Sequence, residues 1–196
     1  MNKYMDIANV VLKTQRLILR PWRESDLEDL YEYAKVDGVG QMAGWKPHSN
    51  IDVSRAVLSY FIKSKSVFAL EHKGKVIGSL GVDEYSEEDH PQLDMLQGRE
   101  IGYVLSRAYW GQGLMPEAVK EVIRWLFEEE KLDFIVVGHY EKNTQSRRVI
   151  EKCGFHYVRT VNIVTDSGAV RNSMQYILYN PNRREEKCLH TKEHRQ

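Results

Sequence analysis

The sequence predicts a mixed α/β fold in which helices cover one central sheet. Three observations lead there. Strand-like runs and helical periodicities alternate in the order β-α-α-β-β-β-α-β-α-β-β, the pattern of a layered α/β unit. The stretch from about Met115 to Glu130 carries an apolar stripe at helical spacing, and Phe134 to Tyr140 is a mostly apolar strand. The 196 residues suffice for one large domain, which buries about 70% of its unfolded surface.

In chain order, residues 12–22 read as a strand, with Leu17 and Leu19 set against Arg16, Ile18 and Arg20, ended by Pro21. Ser25 and Asp26 offer N-cap side chains to a helix through Leu27, Leu30, Tyr31 and Ala34, reaching about Lys35. A glycine-rich loop carries Trp45, Pro47 and His48, and Asp52 opens a second helix through Ala56, Val57, Tyr60 and Phe61. Val67–Leu70 and Val76–Leu80 flank Lys73-Gly74, a hairpin signal. Six acids and no Lys or Arg stand between Asp83 and Asp94, which reads as a polar loop, and Glu100–Leu105 is again a strand.

After a glycine turn, the helix from Met115 turns Met115, Val119, Val122, Ile123 and Leu126 inward, leaving Glu117, Lys120, Glu121, Arg124 and Glu128 to water. Asn143 opens a short helix that stops at Gly154. Strands Tyr157–Val164 and Met174–Tyr179 enclose a polar turn at Asp166-Ser167-Gly168. Beyond Pro181 the charges lack apolar periodicity, which predicts a frayed tail.

Composition narrows the function. Twenty-eight basic and 28 acidic residues cancel, so net charge points to neither nucleic acid nor an anionic membrane. No apolar run approaches the ~20 residues of a membrane span, and the first residues lack the apolar stretch of a secretory signal. Two cysteines without a pairing framework fit reduced thiols in a cytoplasmic protein. The seven histidines show no metal-ligand spacing, so no metal is expected; His139 and His156 read as structural residues in strands. Cys153 before Gly154 reads as a buried helix-end thiol.

The motif with chemical content is Tyr109-Trp110-Gly111-Gln112-Gly113-Leu114-Met115-Pro116-Glu117-Ala118, between a strand and a helix. Glycines at 111 and 113 tolerate positive φ and let a ligand approach the main chain. Pro116 suits the first helical position, and the free N–H groups of that turn, with the helix dipole, form an anion site suited to a pyrophosphate. A plain tight turn fits the same residues. A dinucleotide fingerprint would need a third glycine where Pro116 stands, and a Walker A loop would need Gly-Lys-Ser/Thr.

Three segments read in order carry a resemblance. Arg99 to Leu105, Tyr109 to Ala118, and Asn143 to Phe155 resemble the GNAT N-acetyltransferase superfamily, more narrowly its RimJ/RimL branch, and Thr14 to Trp22 resembles that branch's first strand. The likeness spans about Leu12 to Tyr179. It implies a mostly antiparallel, twisted sheet of about seven strands with helices on both faces, and acetyl-CoA in the splay between the fourth and fifth strands. It also implies an extension at 1–11, an acetyltransferase domain at 12–180 and a flexible tail at 181–196. The superfamily's phosphate motif, Arg/Gln-x-x-Gly-x-Gly/Ala, falls here on Trp110, Gly111, Gln112, Gly113, Leu114 and Met115. Trp for Arg/Gln is usual in this branch. Val104 and Leu105 are expected to contact the pantetheine arm through their main chains, with Asn143 reaching it from the far side.

Acetyl transfer needs a neutral amine, although lysine side chains titrate near ~10.4 and α-amines near ~8, so a base helps. Glu100 stands where relatives carry their base; a solvent-facing glutamate, or one paired with Arg99, fits equally. A backbone N–H near Val104 is the candidate donor to the oxyanion. Ser146 matches a serine that the branch places near the sulfur, while many relatives use a tyrosine one helical turn on, where this chain has Ile150. Ser146 is thus the candidate proton donor, or a serine bonding Asn143 or the backbone at the helix start; Asn143 itself is an N-cap, a cofactor contact, or both. Trp45 and His48 lie in the loop that covers the acceptor cleft in relatives. Tyr140 lines that site or packs in the core. Glu84, within the acidic loop, either attracts a cationic amine or is simply solvated. The acceptor expected is a peptide N-terminus or a small amine, and the enzyme a monomer or homodimer. A non-catalytic acyl-CoA-binding module is the alternative reading.

Overall fold

The computed structural model of the chain describes residues 1–164 and 170–182. The turn expected at 166–168 and most of the tail expected from 181 lie outside these residues. One eight-stranded sheet is built from β1 (Leu12–Lys13), β2 (Ile18–Pro21), β3 (Val67–His72), β4 (Lys75–Asp83), β5 (Gly98–Leu105), β6 (Phe134–Tyr140), β7 (His156–Val164) and β8 (Val170–Tyr179). Their spatial order is β1-β2-β3-β4-β5-β6-β8-β7. Among the described strands only β5 and β6 pair in parallel, with one isolated parallel bridge between Asn2 and Gly98.

The single strand expected over residues 12–22 is two. Thr14 Oγ1 accepts from the N–H groups of Arg16 and Leu17, and Thr14 N–H donates to Leu17 O, so the chain turns between β1 and β2. That accounts for eight strands where about seven were expected. Arg20 also departs from its expected polar exposure. It is 5% exposed, its guanidinium meets both oxygens of Asp26 at 2.8 and 2.9 Å, and Nε donates to Glu71 at 2.6 Å. Asp26 therefore spends its carboxylate on Arg20 and on Arg23 N–H and makes no side-chain cap to the following helix.

Among the described residues four α-helices cover the sheet: α1 (Leu27–Ala34), α2 (Ile51–Ser64), α3 (Leu114–Glu128) and α4 (Thr144–Lys152). Asn50 caps α2, accepting from Asp52 and Val53 N–H, a boundary two residues before the one expected at Asp52. α1 and α2 pack with Trp22, Val67, Ala69 and Val76 on one face. α3 and α4 pack on the other with Leu19, Phe68, Leu80 and Val137. Val119, Val122 and Leu126 of α3 are at most 1% exposed, and each such side chain contributes about 1.5–3 kcal/mol on burial, which fixes the helix start firmly. Ile123 is half-buried rather than central to the stripe, and Trp125 and Ala118 are buried there instead. Met5 and Ile7 of the first eleven residues are buried in this larger core. No helix among the described residues is long and apolar enough to cross a membrane.

Candidate active site

The site begins where two neighbouring strands stop pairing. β5 stays paired with β4 over its last six residues, from Asp83↔Glu100 to Gly78↔Leu105. Against β6 it pairs only at Gly98↔Phe134, Arg99↔Ile135 and Glu100↔Val136, and beyond Glu100 the two strands separate. Register tells which main-chain groups face the opening. Ser106 N–H donates to Ile77 O, so the hydrogen-bonded rungs of β4–β5 also include Ser79–Val104 and Gly81–Gly102. The groups of Ile101, Tyr103 and Leu105 therefore turn toward β6. Glu141 N–H donates to Asn172 O, so by the same argument Gly138 and Tyr140 turn theirs toward β5. Of the two residues expected to contact a pantetheine arm, Leu105 faces the gap, whereas Val104 spends its main chain on Ser79. Among the N–H groups near Val104, those of Tyr103 and Leu105 turn toward the gap. Leu105 O is engaged by the indole N–H of Trp110 at 2.8 Å, which ties the glycine loop to the strand end.

At the outer end of the gap lies the start of α3. Gly111 and Gly113 both have φ +76°, and Gly113 is the N-cap in the left-handed region. Among the described residues, nothing accepts from the N–H groups of Gly111, Gln112, Gly113, Leu114 or Met115. Residues 111–113 are exposed, so these donors and the positive end of the helix dipole are open to an anion. Pro116 is the third helical residue, not the first, still within the turn where its missing N–H costs little. The sequence reading missed Arg16. It donates to Gln112 O at 2.9 Å and to Glu117 at 2.7 Å, clasping the glycine loop to the first turn. Glu117 is accordingly not a plain water-facing residue. Burial alone would raise its pKa, but hydrogen bonds from Thr14 and Arg16 outweigh it and hold the carboxyl low.

A cavity of about 140 Å³ fills the gap, walled by Gly102 and Tyr103 on one side and Val137, Gly138 and His139 on the other. Asn143 and Ser146 of α4, with Met42 and Ala43 of the glycine-rich loop, close it. Asn143 is the N-cap of α4: its Oδ1 accepts from Ser146 N–H at 3.1 Å, and its Nδ2 donates to Met42 O at 3.2 Å. Ser146 Oγ lies 2.9 Å from the hydroxyl of Tyr103, a residue the sequence reading did not single out. Ile150, one turn on, is buried in the larger core.

Glu100 sits at the apex of the gap, and strand alternation puts it on the face opposite Tyr103. Its carboxylate has no hydrogen bond or ion pair among the described residues; Arg99 instead donates to Lys3 O and lies 3.7 Å from Glu84. Burial, then the charges of Asp83 and Asp89, push the Glu100 pKa up to about 7. Glu84 is exposed beside Arg99. Tyr140 stands between Gly44, which its hydroxyl abuts, and Arg171, whose guanidinium lies over its ring at 5.2 Å. His48 is buried, its Nδ1 2.7 Å from Ser54 Oγ, and Trp45 packs on it and over Gly40. Burial holds the His48 pKa down. Burial likewise raises the Cys153 thiol to about 11, and its Sγ points to Pro116 O. No cluster of His, Cys, Asp and Glu suited to a metal ion occurs among the described residues. A larger open recess, about 600 Å³, lies beside the far end of α3 at Val10, Arg124 and Glu129, away from these groups.

A gapped sheet with an anion cradle at one end and a carboxylate at its apex defines a class of acyl-transfer fold, and comparison with known proteins agrees. Residues 16–156 match the family model described as an acetyltransferase (GNAT) domain. The chain belongs to the GNAT family and is an N-acetyltransferase of it, an acyltransferase. It is 27% identical over 153 residues to the uncharacterised N-acetyltransferase p20 of Bacillus licheniformis, covering 74% of this chain and 81% of p20. It is 48% identical to YjcK of Bacillus subtilis over 61 residues, 31% of this chain, and the match spans only 34% of that relative. Among solved structures, a GNAT acetyltransferase from Bacillus anthracis superposes with TM-score 0.76 at 21% identity, covering 87% of this chain and 99% of that one. RimJ from Mycobacterium smegmatis, solved with CoA-disulfide, gives 0.72 at 18%, covering 91% and 92%. At such identities these likenesses show the fold.

Proposed function

We propose that this enzyme transfers the acetyl group of acetyl-CoA to a primary amine, with both substrates bound together. The observation that carries the reading is the gap itself. Main-chain groups that the ladders leave unpaired, chiefly those of Tyr103 on one side and Gly138 on the other, face each other across it and lead to the free N–H groups of residues 111–115. Buried main-chain donors and acceptors need partners, and a pantetheine arm carries amides while its pyrophosphate carries the charge the cradle favours. The residues present therefore fit the cofactor. A solved relative of the same fold, the microcin C7 immunity acetyltransferase MccE, was obtained with acetyl-CoA and AMP.

Acetyl-CoA supplies an activated thioester. The chain's own groups do the rest from two faces of the sheet. Glu100, on the α1/α2 face, takes the proton that the attacking amine gives up, and its raised pKa suits it to do so near neutrality. Main-chain N–H groups of β5 that face the gap donate to the carbonyl oxygen as charge develops. Ser146, on the α4 face, donates to the departing sulfur. The acceptor is a peptide N-terminus or a small amine entering beside Tyr140 and the loop of Trp45; solved neighbours include proteins titled ribosomal-protein-serine and ribosomal-protein-S5-alanine acetyltransferases. Affinity with the RimJ/RimL branch, action in the cytoplasm and a monomeric or homodimeric state complete the reading.

The test is a screen for free thiol release from acetyl-CoA over N-terminal peptides, polyamines and aminoglycosides, with thermal shift alongside. Amine-dependent thiol release is expected. Stabilisation by acetyl-CoA without release for any amine would make the chain a binding module, and no stabilisation would remove the cofactor.

A further inference from the structure

We propose that Tyr103 is a positioning residue for Ser146: by donating its hydroxyl proton to Ser146 Oγ, it turns the serine's own proton into the gap. The inference rests on the acetyl-CoA reading of the site and adds a residue to it. Tyr103 comes from β5 and Ser146 from α4, on opposite walls of the opening, and their hydroxyl oxygens are 2.9 Å apart. Tyr103 also lies 3.2 Å from Ser146 O. A phenol has one proton and a serine hydroxyl has one. If the phenol donates to the carbonyl, the serine proton is drawn to the phenol oxygen and none faces the gap. If the phenol donates to Oγ, the serine proton is free to meet an acceptor in the cavity. A sulfur accumulating negative charge selects the second arrangement.

The surroundings hold that choice in place. Ser146 N–H is fixed on Asn143 Oδ1 and Asn143 on Met42 O, so Oγ has little freedom of position. The Tyr103 ring packs against the larger core, and burial raises its pKa, so the phenol keeps its proton. One helical turn on from Ser146 stands Ile150, buried and without a hydroxyl. The step balances without an added reagent. The amine nitrogen bonds to the acetyl carbon, the C–S bond breaks with its electron pair on sulfur, and the amine's proton goes to Glu100 and then to solvent. Ser146 hydrogen-bonds to the thiolate and keeps its proton.

The test uses Tyr103→Phe, Ser146→Ala and the double variant. One readout is independent of turnover: the ionisation of the thiol in bound CoA, followed by thiolate absorbance. Loss of one hydrogen bond to a charged sulfur is expected to weaken thiol acidity about 10-fold in Tyr103→Phe, and the double variant to match Ser146→Ala. In acetyl transfer, Tyr103→Phe is expected to lower kcat about 10-fold with the KM for acetyl-CoA unchanged, and to cost nothing further once Ser146 is alanine. An unchanged thiol acidity in Tyr103→Phe, or an equal loss in both backgrounds, overturns the proposal. If wild type bound CoA but acetylated no amine, the proposed function would fall while the thiol titration still decided the role of Tyr103. A wild type that bound no CoA would overturn both.

Discussion

Glu100 stands directly opposite Asp83 in the β4–β5 ladder, on the face that α1 and α2 cover, and no cation bonds to its carboxylate among the described residues. Burial comes first, and the negative neighbours Asp83 and Asp89 add to it, so the group titrates at about 7 instead of 4.5. As a base it works only when ionised. The acid limb of kcat/KM against pH should therefore show an apparent pKa near 7. Glu100→Gln should lower the plateau by about 100-fold and abolish the limb. A limb that survives the substitution removes Glu100 from proton transfer.

The same shift has a cost in stability, with a definite sign. An acid whose pKa is higher folded than unfolded penalises the folded state where both forms ionise. That penalty is absent below the unfolded value near 4.5 and complete above about 7. Glu100→Gln should consequently raise Tm at pH 8, by roughly 3–8 °C, and leave it unchanged at pH 4. Thermal unfolding at the two pH values checks this, and equal effects at both would contradict the burial argument.

Gly111 and Gly113 invite a separate experiment. A Cβ at Gly111 would meet nothing within 4 Å, and one at Gly113 would meet only Arg16 at 3.6 Å, so neither site is crowded. The cost of Val there comes from positive φ, about 1–2 kcal/mol each, and from the side chain standing before the N–H donors. Calorimetry should show CoA binding at least about 10-fold weaker in each variant. Acetyl-pantetheine, which has no pyrophosphate, should be used equally well by variant and wild type.

Asp26 supports β2, through Arg20, without touching the site. Its side chain and that of Arg20 are each 7% exposed, so Asp26→Ala would leave a buried guanidinium short of its main partner. A loss of about 3–5 kcal/mol in urea unfolding is expected, with the apparent pKa of the activity profile unchanged.

The elements were largely legible because each is a local pattern. β6 is bounded as the apolar run indicates, Asn143 caps α4, and Lys73-Gly74 turns β3 into β4 with φ of 52° and 79°. The break at Thr14–Leu17 was not legible, since the alternation of Leu17 with Leu19 carries no sign of a side-chain-bonded turn before it. Arg20 looked solvent-facing because its two carboxylate partners lie 6 and 51 residues away and come together only in three dimensions. Glu100 and Ser146 were visible through the family pattern. Tyr103 and Arg16 were not, as their importance rests on contacts spanning 43 and 101 residues. Nor does a strand's sequence record which neighbour takes its main-chain groups, so the pairing of Val104 with Ser79 shows only in the register.

Three rungs join β5 to β6. The sheet is therefore two leaves, β1 to β5 and β6 with β8 and β7, sewn by a short seam and otherwise held by the helices that span them. A strand-like guest lying between the leaves would act as a removable rung-maker, lending the sheet stiffness it lacks alone. Amide exchange at Gly138 and Tyr140 should then be fast in the free protein and slow by orders of magnitude once the guest is in place, making the seam itself a gauge of occupancy.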